Sequence, residues 1–156
     1  MNILVSRCLL GEPCRYDGKS KHYPGLAELE QAGHILIPVC PEVLGGLPTP
    51  RPPAEVQVDG RVINREGTDV TAEYTAGACL ALELARQHNC TAAILKANSP
   101  SCGSRAIYDG TFSKTLIPGR GIAARMLAEA GIAVVDEEHL ADLPTEEKSI
   151  EIRPEN

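Results

Sequence analysis

Residues 71–96 read TAEYTAGACLALELARQHNCTAAILK, one run carrying two periods. Over Thr71–His88 the residues Ala78, Leu80, Ala81, Leu84 and Ala85 recur at helical spacing, with Thr71 as the expected N-cap and Glu73 in the first turn. The short apolar Ala92–Lys96 that follows has the length of a buried strand. The same pairing recurs upstream, where Pro24 opens a helix with Leu26, Leu29 and Ala32 on one face. Gly33 closes that helix, and Ile35–Val39 follows as a strand ending at Pro38. Downstream, a helix over Gly121–Ala130 is closed by Gly131 and leads into the strand Ile132–Val135. Asn2–Ser6 (NILVS) begins the series. This alternation implies an α/β, Rossmann-like fold: a mainly parallel four-stranded sheet with helices on both faces. Between the second strand and the long helix, PEVLGGLPTPRPPAE (residues 41–55) reads as an ordered, extended loop. Val56–Val58 and Val62–Asn64 around Asp59-Gly60 read as a small β-hairpin excursion with a type I′ turn.

The chain has 156 residues, 43% of them apolar, which suits one folded domain over residues 1–143 and a polar tail over residues 144–156. No apolar stretch nears the roughly 20 residues a membrane helix needs. The run Ile3–Val5 is too short for a secretory signal, so a cytoplasmic protein is expected. A net charge of −6 opposes a nucleic-acid-coating role, and 3% aromatic residues with no Trp oppose an extended base-stacking platform. The expectation is a protein without stable nucleic-acid or membrane partners, a monomer or at most a weak homodimer, acting on something small. Six cysteines in such a chain point to metal binding or catalysis rather than to a disulfide framework.

Cys8 comes just past the first strand, Cys40 just past the second and Cys102 in the loop after the third. Carboxyl ends of parallel strands share one edge, where ligands bind, so three distant cysteines should become neighbours there. Burial as small hydrophobes is the bland alternative for each. Cys14, in the same loop as Cys8, is a fourth ligand, a neighbour of the site or a packing residue. Cys79 and Cys90 read as packing thiols. Structural zinc normally takes four ligands, often in C-x-x-C pairs, and no such pair exists here. Three cysteines on a 4Fe–4S cluster leave one iron open, the mark of a catalytic metal site. Catalytic zinc held by three cysteines, as in a hydrolase, is the runner-up. A non-catalytic iron–sulfur carrier or redox sensor would more naturally use four ligands.

Glu42 lies two residues past Cys40, which makes it an acid–base candidate if Cys40 binds a cluster; pairing with Arg51 is the bland reading. Ser99 and Ser101 bracket Pro100 and can donate hydrogen bonds to a cluster sulfide or a substrate, or merely cap a turn. Asn98 and Gly103 suit a loop whose N–H groups face an anion. Arg15, Tyr16 and Asp17 precede Gly18 and are either groups that orient a planar polar ligand or a turn with a satisfied Asp. Tyr108-Asp109-Gly110 repeats that pattern as a second turn.

Four ordered motifs, SRCLLGEPCRYDG, PVCPEVLGGLPTPRPPAE, LKANSPSCGS and IYDGTFS, resemble those of the small bacterial family of thiouracil desulfidases, the TudS-like proteins. The resemblance runs from about Met1 to Val135. It implies a 4Fe–4S enzyme that removes sulfur from thiolated uracils without net redox change, giving uracil and hydrogen sulfide. Carried over motif by motif, it implies Cys8, Cys40 and Cys102 as cluster ligands, with Cys14 as the substitute. It also implies Glu42 as the acid–base carboxylate and a catalytic serine at Ser99 first, Ser101 second. The implied partner is a small thiolated pyrimidine, with Arg15, Tyr16, Asp17 and Asn98 as candidate substrate contacts.

Overall fold

A computed structural model of the chain describes residues 1–144, so the polar tail expected over residues 144–156 lies, but for Pro144, outside the described residues. The chain opens with β1 (Asn2–Ser6), α1 (Leu26–Gln31), β2 (Ile35–Val39) and the short α2 (Pro41–Leu44). A hairpin of β3 (Ala54–Val56) and β4 (Val62–Asn64) precedes α3 (Thr71–Gln87) and β5 (Ala92–Leu95). A second hairpin, β6 (Ala106–Tyr108) with β7 (Leu116–Pro118), precedes α4 (Ile122–Glu129) and β8 (Ala133–Asp136).

Strands β2, β1, β5 and β8 form one parallel sheet in that order. Alternate residues feed opposite faces. Leu4, Val39, Ala93 and Leu95 pack with Ala81, Ala85, Ala124 and Leu127 of α3 and α4. Ile3, Val5, Ile94 and Val135 pack on the other side with Leu9 and with Leu26 of α1. Burial on both faces explains why these strands read as continuous apolar runs. The chain leaves β1 toward β2 on one side and returns to β5 on the other. A crevice opens where such a sheet switches direction, at the carboxyl ends of β1 and β5.

The small residues of α3 bring α2 unusually close. A Cβ placed on Gly77 would sit 1.9 Å from the Pro41 carbonyl oxygen, and one on Gly45 would sit 2.0 Å from that of Glu73. The two glycines let the backbones touch, and this contact fixes α2, which carries Glu42.

Four local expectations need correction, the first being that of Cys79 as a packing thiol, since it is exposed on α3. The hairpin turn is not type I′, because Val56 pairs with Val62 and only Gly60, not Asp59, has positive φ. Gln57 N–H bonds Arg61 O and Gly60 N–H bonds Gln57 O, which is a type I turn closed by a left-handed glycine, with Val58 fully exposed. Thr71 is the first helical residue rather than the cap: its N–H and hydroxyl both donate to Asp69 Oδ1, and its oxygen accepts Val62 N–H. Pro38 lies inside β2, opposite Val5, which an edge strand tolerates because its outer N–H row has no partner. The pair β6–β7 has no clear sequence signal, since β7 is exposed along its whole length and carries no alternation.

Candidate active site

A cavity of about 550 Å³ opens at the carboxyl edge of the sheet, and Cys8, Cys14, Cys40 and Cys102 all line it. Each arrives through a feature of local sequence. Cys8 sits in a 3-10 turn after β1 that Gly11 ends in the left-handed conformation. Cys40 is the N-cap of α2, whose first residue is Pro41, a residue well suited to a helix start. Cys102 follows a turn organised by Ser99, whose Oγ accepts the N–H groups of Ser101 and Cys102 at 3.1 and 3.0 Å.

The four thiols are buried. Hydrogen bonding with Cys14 and burial push the Cys40 thiol well above its ordinary range. Burial, then the charge of Glu42, pushes Cys102 up to about 12. Cys14 lies within reach of both the Cys40 and Cys8 thiols. Cys102 Sγ receives the Ser6 hydroxyl at 3.5 Å and lies 3.4 Å from that of Ser101. Soft sulfur donors with hydroxyl groups aimed at one of them suit an iron–sulfur cluster. Among the described residues, no three His, Cys, Asp or Glu converge tightly enough for a single ion. A cluster attaches each thiolate to a different iron and needs no such point of convergence.

Glu42 stands beside these sulfurs as the hub of a buried network. Its Oε2 accepts Arg51 Nε and Nη2 at 3.3 and 3.1 Å and the Tyr74 hydroxyl at 3.2 Å. Its Oε1 accepts Ser101 Oγ at 2.7 Å. Burial and the Glu42 charge both raise Tyr74 and keep its phenol a donor. Burial opposes the Arg51 charge, and Glu42 more than offsets it. Arg51 also donates to Cys14 O, Pro48 O and Thr49 Oγ1, tying the loop after α2 to the cysteine turn. Pairing with Arg51 and a place at the cavity are thus one arrangement.

The two serines take different positions. Ser99 lines the cavity, whereas Ser101 is fully buried behind it. Ser99 Oγ lies 3.1 Å from Ser101 Oγ. Since Ser101 spends its one proton on Glu42, Ser99 is the donor of that pair. A directed chain therefore runs from the cavity through Ser99 and Ser101 to Glu42.

Arg15, Tyr16 and Asn98 line the cavity, and Asp17 is not among the lining residues. Asp17 Oδ1 accepts Lys19 N–H in the turn that Gly18 closes, and Arg15 lies 3.9 Å from the Asp17 carboxylate. Asn98 has φ 68°, a conformation Asn tolerates better than most residues. Lys96, Tyr74, Tyr108, Phe112, Arg51 and Glu55 also line the cavity, and of these only Tyr74 lies outside the four sequence motifs. Tyr16, Tyr74, Tyr108 and Phe112 are four of the chain's five aromatic residues. A composition poor in rings thus conceals a site rich in them.

The fold and the site define an α/β protein with a thiol-lined, ring-lined cavity at the switch of a parallel sheet and a hydrogen-bonded Ser99–Ser101–Glu42 chain beside the thiols. Residues 3–139 match the family described as 2-thiouracil desulfurase. The chain is 41% identical over 150 residues to the uncharacterised protein YbbK of Bacillus subtilis (strain 168), a match spanning 90% of this chain and 99% of that one. It superposes on the solved 4Fe–4S-dependent thiouracil desulfidase TudS with a TM-score of 0.85 at 47% identity, covering 91% of this chain and 94% of that one. The chain belongs to the 2-thiouracil desulfurase family. Among the described residues, no helix is long and apolar enough to cross a membrane.

Proposed function

We propose that this chain is a 4Fe–4S-dependent desulfidase that converts a thiolated uracil, as free base or nucleoside, and water into the uracil and hydrogen sulfide. The observation that carries the reading is the meeting, at one cavity, of the cysteine thiols with the Ser99–Ser101–Glu42 chain. Cys8, Cys40 and Cys102 come from three separate strand ends and would hold the cluster. Cys14 touches two of them and would be a neighbour. When bound, the cluster supplies an iron without a protein ligand, a good acceptor for the soft thiocarbonyl sulfur.

The remaining chemistry belongs to the protein. Tyr16, Tyr108 and Phe112 face the cavity with flat apolar surface suited to a pyrimidine ring, and Arg15 and Asn98 offer polar groups to its edge. Glu42, held by Arg51 and Tyr74 and itself lining the cavity, accepts a proton from attacking water and later returns it to the departing sulfur. Replacing C=S by C=O with water releases hydrogen sulfide and needs no oxidant or reductant. Anaerobic reconstitution with iron and sulfide, followed by 2-thiouracil, tests the reading. Uracil and sulfide should appear in equal amounts, and a chain that binds iron yet releases neither overturns it.

A further inference from the structure

The geometry points to Glu55 as a positioning residue, one that holds the 109–114 loop against the cavity mouth so that Phe112 can bear on the substrate ring. This rests on the desulfidase reading. Glu55 lies on β3, is 8% exposed, and pairs with no cation among the described residues. A buried carboxylate without a counter-charge needs hydrogen-bond donors, and Glu55 finds them in the loop. Its Oε1 accepts Gly110 N–H at 2.9 Å and Phe112 N–H at 3.1 Å. Gln57 Nε2 adds bonds to Gly110 O at 3.2 Å and Glu55 O at 3.3 Å, closing a clamp between the two hairpins.

The loop requires such a clamp. Phe112 has φ 56° and Lys114 has φ 61°, left-handed conformations that large side chains adopt only when their surroundings hold them there. With its N–H fixed on Glu55, Phe112 lies under the Arg65 guanidinium, 5.5 Å from its ring centroid. Phe112, Arg65, Lys114 and Tyr108 line the same cavity as the cysteines and Glu42. Nothing connects Glu55 by hydrogen bond to Glu42, Ser99 or the thiols. It acts through Phe112, on substrate binding and not on proton transfer.

The test compares the cluster-loaded enzyme with Glu55→Gln, Glu55→Ala and Phe112→Ala, each checked for iron content and visible absorption. Glutamine keeps a carbonyl oxygen for both N–H groups and alanine does not. Glu55→Ala and Phe112→Ala should each raise KM for 2-thiouracil about tenfold, with kcat within about twofold, as expected for loss of roughly one strong hydrogen bond or ring contact. Amide hydrogen exchange at Gly110 and Phe112 should quicken in Glu55→Ala, and Glu55→Gln should match the parent in both measurements. Unchanged KM in Glu55→Ala, a fall in kcat at constant KM, or Glu55→Gln as impaired as Glu55→Ala would each overturn the assignment. A parent enzyme that releases no sulfide removes the desulfidase reading instead. The exchange comparison, which needs no turnover, then decides whether Glu55 holds the loop.

Discussion

Ser101 Oγ lies 2.7 Å from Glu42 Oε1, although 59 positions separate the two residues in the chain. The other acceptors within reach of that hydroxyl, Ser99 Oγ at 3.1 Å and Cys102 Sγ at 3.4 Å, are both farther away, so the proton goes to the carboxylate. Glutamine at position 42 offers Ser101 and Tyr74 at most one acceptor oxygen and gives Arg51 no charge. Glu42→Gln should lower sulfide release by about 10² to 10⁴, the usual worth of a positioned acid–base group, with iron content unchanged. Full turnover with an intact cluster would remove Glu42 from the proton chemistry.

Arg51 is buried, and its two bonds to Glu42 Oε2 depend on the fork of the guanidinium. Arg51→Met strands the Glu42 charge and should cost about 3 kcal/mol in urea unfolding of the cluster-free protein. Arg51→Lys keeps the charge but not the paired grip, so it should recover most of the stability and little of the activity.

The four cavity thiols should divide in cluster loading. Serine at Cys8, Cys40 or Cys102 should each lower bound iron after reconstitution, because each removes a thiolate from a separate strand end. Cys14→Ser should leave iron content near that of the parent. Iron and acid-labile sulfide per chain measure this directly, and loss of the cluster in Cys14→Ser would make Cys14 a ligand.

Much of this was legible in the sequence because it depends on local signals. Short apolar runs mark the strands, and the rule that parallel strands share a carboxyl edge brings Cys8, Cys40 and Cys102 together without any coordinates. Glu42 is visible because it sits two residues from Cys40. Arg51, nine positions past Glu42, is open to the same reading as its partner, whereas Tyr74 and Glu55 are not visible in this way. Their importance lies in contacts across tens of residues, and each alone looks like an ordinary helix or strand residue. The turn at Asp59-Gly60 misleads for a different reason: the pair also suits a type I turn with a left-handed glycine, and only the pairing of Val56 with Val62 decides between them.

Gly77 puts two effects in opposition. Alanine is the better helix former by about 1 kcal/mol. Its methyl group, however, would meet the Pro41 carbonyl at 1.9 Å, a contact with backbone that no rotamer can relieve. Overpacking of that kind usually costs about 1–3 kcal/mol, so Gly77→Ala should lower the urea midpoint despite its propensity. Because the displaced element is α2, turnover should fall as well. A stabilised variant would show that the two helices can part freely.

The gathering of Tyr16, Tyr74, Tyr108 and Phe112 around one cavity has an optical consequence. The chain has no tryptophan, so its ultraviolet emission comes from tyrosine, and three of its four tyrosines lie at this site. Iron–sulfur clusters absorb broadly across the range where tyrosine emits. Emission should dim as the cluster is installed and brighten as it is lost, giving the protein a built-in, label-free gauge of its own active site.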